Sequence, residues 1–191
     1  TGRPGPVWLD IPIDVQGARI DTRKLLGADL KINTDPQVDT AQIERVLQLL
    51  ADSKRPLIFA GHGVRLAEAA NIFREMIDSW HVPVVTTWNA IDLLPHQHPC
   101  YVGAPGVVAL RAPNFAVQNC DLLISIGCRL DSIITAYNPR GFARAAKKVA
   151  IDIDQAELNK DGIEFIETIC ADASTVISKF LSLQPKLNSD Y

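Results

Sequence analysis

The sequence predicts an α/β domain with a doubly wound, mostly parallel sheet and helices on both faces, a Rossmann-like architecture. Short runs made largely of apolar residues, such as 56–60 and 121–127, alternate with segments whose apolar residues recur at helical spacing. Strands that are buried on both faces of a parallel sheet typically consist of such continuous runs. The alternation of these runs with helices therefore favours a parallel sheet.

The apolar runs place the strands of this sheet. We predict strands at 56–60, 82–87, 121–127, 149–154 and 166–171. Four of them form the centre of the expected core, near Leu57, Val84, Leu123 and Ile151. In a sheet of this kind, ligands bind at the carboxyl ends of the strands.

Helices fill the intervals between these strands. The first begins at Asp39 or Thr40, since either side chain can cap it, and the last is capped by Asp172 or Ser174. A short helix covers 114–119. The helix after Val64 presents an apolar face made of Leu66, Ala69, Ala70, Phe73, Ile77 and Trp80.

The amino-terminal part has a different character. Residues 1–38 read as an extended arm and linker, with a short strand at 7–12 that ends at Pro12, and residues 39–191 form the α/β domain with a compact core at 40–183. The chain begins at Thr1 rather than Met, so we interpret it as a piece of a longer protein. A loosely attached arm predicts first proteolytic cleavage between Gly17 and Pro36.

Composition excludes several classes of partner. The 191 residues are 47% apolar and carry a net charge of -3, which gives no electrostatic reason to expect nucleic acid or an anionic membrane. No apolar run approaches a membrane span, and no signal peptide is evident. The four cysteines (Cys100, Cys120, Cys128 and Cys170) form no CxxC pair and suggest buried thiols in a cytoplasmic protein.

The motif Gly61-His62-Gly63 follows the first strand and opens a helix. Glycines at such a turn let backbone amides approach a phosphate at the helix N-terminus. The third glycine of a dinucleotide fingerprint is missing, because Leu66 occupies its position. A tight strand-to-helix turn is an equally good interpretation.

Two further strand ends carry charged residues. Arg129, after Gly127, could reach a phosphate or stack on a ring, or it could form a surface ion pair with Asp131. Asp152 suits a ribose hydroxyl, whereas Asp154 could simply cap the helix that follows.

Catalytic and metal centres are not predicted within this chain. The segment His96-Gln97-His98 resembles half of a metal site, but no cysteine or carboxylate cluster completes it. The sequence contains no G-x-S-x-G motif, so a hydrolase with a nucleophile elbow is unsupported.

Several segments in order resemble acetolactate-synthase-like thiamine diphosphate (ThDP) enzymes. Residues 2–15 resemble the end of the family's first catalytic domain, and the remainder resembles its central domain. The stretches that carry the resemblance are 56–63, Gly127-Cys128-Arg129-Leu130-Asp131, 142–154 with Glu157 and Lys160, and Asp172-Ala173. The resemblance implies a Rossmann-like central domain of the DHS-like, NAD/FAD-binding type.

The resemblance also implies what the domain does. In the family, the two flanking domains of the same chain bind ThDP and magnesium, and the enzyme, a transferase or lyase, decarboxylates a 2-oxo acid such as pyruvate before joining it to a second carbonyl. No Gly-Asp-Gly metal motif occurs here. We therefore expect a non-catalytic domain that binds no ThDP by itself, within a parent protein that forms a homo-oligomer.

In acetolactate synthase the central domain holds FAD, and the resemblance carries that site onto this chain residue by residue. The cofactor-binding positions are Gly61, His62, Gly63, Thr87, Trp88, Gly103, Gly127, Arg129, Asp131, Asp152, Ile153, Asp172 and Ala173. We expect Gly61 and Gly63 to approach the diphosphate of an adenine cofactor, with Asp152 and Ile153 at its adenosine half.

Two segments depart from the family pattern near the flavin. Gly103-Ala104-Pro105-Gly106 replaces Gly-Met-His-Gly, and Ser132 and Ile133 replace an acid and an arginine. These changes predict weak FAD binding and a colourless preparation. The alternatives are a stand-alone NAD/FAD-binding module and a structural spacer with an empty groove. A third rival, an NAD-dependent deacylase of related fold, needs a catalytic histidine and often has a four-cysteine zinc site, which the cysteine spacing excludes.

Overall fold

A computed structural model describes residues 5–27 and 38–183. The chain separates into two compact units, Thr1–Thr34 and Asp35–Tyr191. Part of the segment expected to be cleaved first, residues 28–36, lies outside the described residues. The domain boundary at residues 38 and 39 stays a prediction.

The first unit has little regular structure. It contains helix α1 (Ile13–Gln16) and a 3-10 turn at Thr22–Lys24. The strand predicted at 7–12 is wrong: these residues adopt no strand, and Trp8 is 90% exposed. A strand needs a neighbouring strand for its backbone hydrogen bonds, and the apolar pattern of this segment cannot supply one.

The second unit is built on one parallel sheet, which confirms the predicted fold class. Its strands among the described residues are β1 (Pro56–Ala60), β2 (Val84–Thr86), β3 (Tyr101–Gly103), β4 (Leu122–Ile126), β5 (Lys147–Asp152) and β6 (Glu167–Cys170). They pair in the order β3-β2-β1-β4-β5-β6, and every pair is parallel.

Helices cover both faces of this sheet. They are α2 (Thr40–Asp52), α3 (Gly63–Leu66), α4 (Ala70–Trp80), α5 (Arg111–Asn119), α6 (Gln155–Leu158) and α7 (Ala173–Leu183). Asp39 caps α2 by accepting a hydrogen bond from the Ala41 amide, as its position predicted. The apolar positions predicted for this helix are all buried: Ile43, Val46, Leu47 and Leu50.

The core has two layers because the central strands point side chains to both faces. Ile58 and Ala60 of β1 pack into one cluster with α2, α4 and α7. Leu57 and Phe59 of the same strand pack into a second cluster, where the Phe59 and Phe142 rings are 6.3 Å apart. This alternation explains why β1 is apolar throughout.

The helix predicted after Val64 is interrupted. Glu68 takes a left-handed conformation with a φ of 54°, which separates α3 from α4. Leu66, on the short helix before the interruption, is 47% exposed, whereas Met76 of α4 is buried. The prediction was therefore wrong for Leu66 and right for Phe73, Ile77 and Trp80.

Strand β3 was not predicted. It is three residues long, lies at the edge of the sheet, and follows the proline-containing loop that includes Pro95 and Pro99. A short, half-buried edge strand has neither the length nor the apolar run by which buried strands are recognised. Helix α5 also begins earlier than predicted, at Arg111.

None of the helices in the described part of the chain is both long and apolar enough to cross a membrane.

Candidate functional site

The candidate site lies at the carboxyl edge of the sheet, which is the edge where all six strands end. Strands β1 and β4 are neighbours, but the chain leaves β1 toward β2 and returns to β4 from the far side. Ligands in open α/β sheets bind in the crevice at such a switch point. The structure places every predicted site residue at or just beyond a strand end on this edge.

The glycines at the switch point pack against each other through their backbones. The Gly61 amide donates to the Ile126 carbonyl at 2.9 Å, and the Gly63 amide donates to the Gly127 carbonyl at 2.9 Å. A Cβ on Gly61 would lie 2.1 Å from the Gly127 oxygen, and one on Gly63 would lie 2.6 Å from the Gly127 Cα. The tight-turn interpretation therefore accounts for these glycines. Because both amides already donate to backbone carbonyls, a diphosphate at this turn would have to accept hydrogen bonds from other donors.

The loop after β2 contributes an unsatisfied hydroxyl. Thr87 Oγ1 is buried without a hydrogen-bond partner within the described structure. Trp88 begins a 3-10 turn directly after it and is 45% exposed. His62 Nδ1 lies 2.9 Å from the Asn89 carbonyl and ties this loop to the loop after β1. A buried polar atom without a partner is rare in native proteins and is consistent with a polar group arriving from outside.

Arg129 forms an ion pair, but not with the residue proposed from the sequence. Its Nε lies 2.8 Å from Glu157 Oε1, and Lys160 Nζ lies 3.3 Å from the other carboxylate oxygen. Burial raises the pKa of Glu157, but the hydrogen bond from Arg129 and the charge of Lys160 together lower it below its ordinary value. Asp131 instead accepts hydrogen bonds from the amides of Ile133 and Ile134, so the proposed Arg129–Asp131 pair is wrong.

The acidic residues after β5 have mainly local partners. Asp152 is buried and accepts a hydrogen bond from the Asp154 amide at 3.0 Å. Asp154 caps α6 by accepting from the Ala156 amide at 2.9 Å, which confirms the capping interpretation. The Ile153 carbonyl lies 3.7 Å from the Cys170 sulfur.

The remaining site residues flank this group. Asp172 caps α7 by accepting from the amide and the hydroxyl of Ser174, and Ala173 behind it is buried. Of the two residues predicted as possible caps, Asp172 is therefore the cap, and Ser174 donates hydrogen bonds to it. Gly103 ends β3 at a φ of 124°, a conformation that L side chains rarely adopt.

The two segments that depart from the family pattern touch each other. The Val107 amide donates to the Ile133 carbonyl at 3.0 Å, and a Cβ on Gly106 would lie 3.1 Å from that same oxygen. Asn114 holds the loop by bonding both the amide and the carbonyl of Gly106. The sequence did not predict these hydrogen bonds, because an asparagine that lies eight residues from its partner belongs to no recognisable sequence motif.

The Cys128 thiol follows β4 at this edge and is buried. Burial raises the pKa of the Cys128 thiol to about 12, so this sulfur is protonated and unreactive near neutral pH. No group of three metal-binding side chains occurs within residues 5–27 and 38–183. His98 is instead engaged by Asp78, with 2.9 Å between Nε2 and a carboxylate oxygen.

Comparison with known proteins gives a consistent result. The family described as "Thiamine pyrophosphate enzyme, central domain" matches residues 43–180. A probable acetolactate synthase large subunit from Methanocaldococcus jannaschii is 37% identical over 190 residues, which cover 95% of this chain and 31% of the relative. The large subunit of acetolactate synthase isozyme 2 from Escherichia coli is 36% identical over 160 residues, covering 84% of this chain and 28% of the relative.

A third relative, the acetolactate synthase large subunit from Lactococcus lactis, is 32% identical over the full length of this chain and 33% of its own. The chain thus spans about a third of the length of the curated relatives it matches.

Proposed function

The chain belongs to the family of thiamine pyrophosphate enzyme central domains, and from this premise we propose that it is the non-catalytic central domain of an acetolactate synthase-like carboligase or decarboxylase. One observation carries the proposal. At the switch point the Gly61 and Gly63 amides are bonded to backbone carbonyls, Arg129 is paired with Glu157, and the Cys128 thiol is held protonated by burial, which raises its pKa.

For the whole protein, we propose a ThDP- and magnesium-dependent reaction on a 2-oxo acid such as pyruvate, in a cytoplasmic homo-oligomer. The relatives are named acetolactate synthase large subunits, and about two thirds of their length lies outside the matched region. ThDP would supply the means to cleave the bond next to the 2-oxo group, and the flanking domains of the same chain would hold it. The role of this domain would be to support the flanking domains and to offer the carboxyl edge of its sheet as a binding surface.

The carboxyl edge supports an adenine cofactor such as FAD only in part. The unpartnered Thr87 hydroxyl and the half-exposed Trp88 ring offer a polar and a stacking contact. Arg129 is 66% exposed along its side chain and could add a phosphate contact while keeping its ion pair with Glu157. We therefore propose weak binding of an adenine-containing cofactor across this edge.

A structural spacer with an empty groove is the second candidate. The engaged amides of Gly61 and Gly63 favour it, because they remove the two donors that a diphosphate would use first. The two candidates differ only in occupancy of the edge, so one binding measurement separates them.

Calorimetry with ThDP and magnesium tests the non-catalytic assignment. We expect no heat of binding and no consumption of pyruvate by the 191-residue chain, because it holds no metal cluster among its described residues to fix a diphosphate. Micromolar ThDP binding would contradict the assignment.

Titration of FAD, followed through flavin fluorescence, tests the groove. Weak, saturable binding would support the cofactor site if Arg129→Ala weakens it. Arg45→Ala, on the amino side of the sheet, is the control and should leave the binding unchanged. Tight binding that is insensitive to Arg129→Ala would refute the site, and absence of binding would favour the spacer.

A further inference from the structure

A second concavity lies at the amino edge of the sheet, opposite the candidate site. It is a pocket of about 240 Å³ between the carboxyl end of α5 and the amino ends of β1 and β2. Its lining residues are Lys54, Arg55, Pro56, Leu57, Pro83, Ala116, Asn119 and Cys120. No residue of the proposed cofactor groove lines it.

The walls of this pocket are mainly apolar. They include two prolines, Leu57 and Ala116, and Leu57 belongs to the buried core of β1. Cys120 donates its thiol hydrogen to the Val117 carbonyl, and burial raises its pKa to about 11, so the wall carries no negative charge at neutral pH. An apolar cavity of about 150 Å³ is known to accommodate benzene, so this volume suits a six-membered ring with a small substituent.

The rim, in contrast, is basic. Lys54 and Arg55 are exposed, and neither forms an ion pair within 4 Å in the described part of the chain. The Arg55 Nε is held at 2.7 Å by the Asn119 carbonyl, which fixes the guanidinium beside the pocket. Asp121, an acid beside this rim, is already bonded to the Ser53 hydroxyl and to the amides of Lys54 and Arg55.

We propose that this pocket binds a small aromatic carboxylate. The apolar body would fill the space between α5 and β1, and the carboxylate would meet Lys54 and Arg55 at the mouth. Removing apolar surface from water provides the attraction, and the basic rim provides the selectivity for an anion. The pocket would act independently of the carboxyl edge, since the two lie at opposite ends of the strands.

Titration of the ¹⁵N-labelled chain with benzoate, benzyl alcohol and benzylamine, followed by NMR, tests the proposal. These probes share a ring and differ in charge. For ligands of about ten non-hydrogen atoms we expect dissociation constants on the order of millimolar. Benzoate should bind at least about 5-fold more tightly than the other two, and the difference should shrink in high salt.

Two variants locate the site. Ala116→Phe should fill the pocket and abolish binding, while Ala112→Phe, on the exposed face of the same helix, should leave it unchanged. Arg55→Gln should reduce the preference for benzoate without removing ring binding, because only Lys54 then remains at the mouth, whereas Lys147→Gln, on the same edge but outside the pocket, should leave the preference unchanged.

Three results would overturn the proposal. They are equal binding of the three probes, no binding of any probe at tens of millimolar, and shifts at Gly61–Gly63 rather than around Leu57 and Cys120. If Ala116→Phe fails to fold, Arg55→Gln still decides the question, because its exposed side chain contributes little to the core.

Discussion

Substituting Gly61 by alanine is the sharpest test of how the switch point is built. The added Cβ would lie 2.1 Å from the Gly127 oxygen and 2.5 Å from the Cys128 Cα. Both contacts are to backbone, so no side-chain rotation relieves them. The loops after β1 and β4 would have to separate, and the hydrogen bonds from Gly61 and Gly63 would lengthen with them.

The expected loss of stability follows from these contacts. Overpacking costs about 1–3 kcal/mol, and each weakened backbone hydrogen bond costs about 1 kcal/mol. The sum is about 3–5 kcal/mol, a large part of the roughly 5–15 kcal/mol that stabilises a domain. With a urea dependence of about 2 kcal/mol per molar, the unfolding midpoint should fall by about 2 M.

Urea unfolding followed by tryptophan fluorescence measures this shift. Trp80 is buried and packs 5.4 Å from the Phe180 ring, so its emission reports on the core. Gly17→Ala is the control, because a Cβ there meets nothing closer than 3.7 Å and its φ of -86° suits alanine. A Gly61→Ala midpoint within about 0.3 M of the parent chain would refute the reasoning, and would point to glycines needed for a ligand rather than for packing.

Three further substitutions test single contacts. Asp121→Ala should cost about 1–3 kcal/mol in unfolding free energy, because it removes the carboxylate that accepts hydrogen bonds from the Lys54 and Arg55 amides and from the Ser53 hydroxyl. Burial raises the pKa of Asp121, but its hydrogen bonds lower this pKa by more, so the folded value lies below the ordinary 3.8. The stabilisation by Asp121 is therefore present above pH 3.8 and is lost as pH falls through the folded pKa. Acid titration of Asp121→Asn should lack this loss. Thr87→Val should leave the melting temperature unchanged or raise it, since the hydroxyl has no partner in the described structure, and a drop would reveal a hidden bond. Arg129→Gln should change unfolding free energy by less than about 1 kcal/mol, because the Arg129 side chain is 66% exposed and Lys160 still pairs with Glu157; a larger loss would show a structural role.

The centre of the fold could be predicted from the sequence, and its periphery could not. Strands β1 and β4 are buried on both faces, so burial favours runs made almost entirely of apolar residues, with Ser125 as the exception, and such runs can be recognised. The interruption at Glu68 depends on a single left-handed residue, which leaves the apolar spacing of the neighbouring turns almost unchanged. The strand predicted at 7–12 failed for a related reason: its residues have the right composition, but a strand also needs a partner.

The position of the candidate site could likewise be predicted from the sequence, whereas the contacts within it could not. Its position followed from the strand ends, because topology alone brings the residues after β1 and β4 to one edge. The contacts did not follow, because they depend on which side chains reach one another across the sheet. Arg129 was expected to meet Asp131, two residues away, but it meets Glu157, which α6 brings from beyond β5. The unpartnered Thr87 hydroxyl could not be foreseen from composition either.

The packing at the switch point limits where a ligand can lie. In a dinucleotide fold, a glycine turn leaves its amides open so that a pyrophosphate can approach the helix N-terminus. Here the Gly127 carbonyl occupies that position and accepts the Gly63 amide, and helix α3 behind it has only four residues. A cofactor at this edge must therefore lie above the glycines and contact the loops after β2 and β4. Its affinity should depend on Thr87, Trp88 and Arg129 more than on the glycine turn itself.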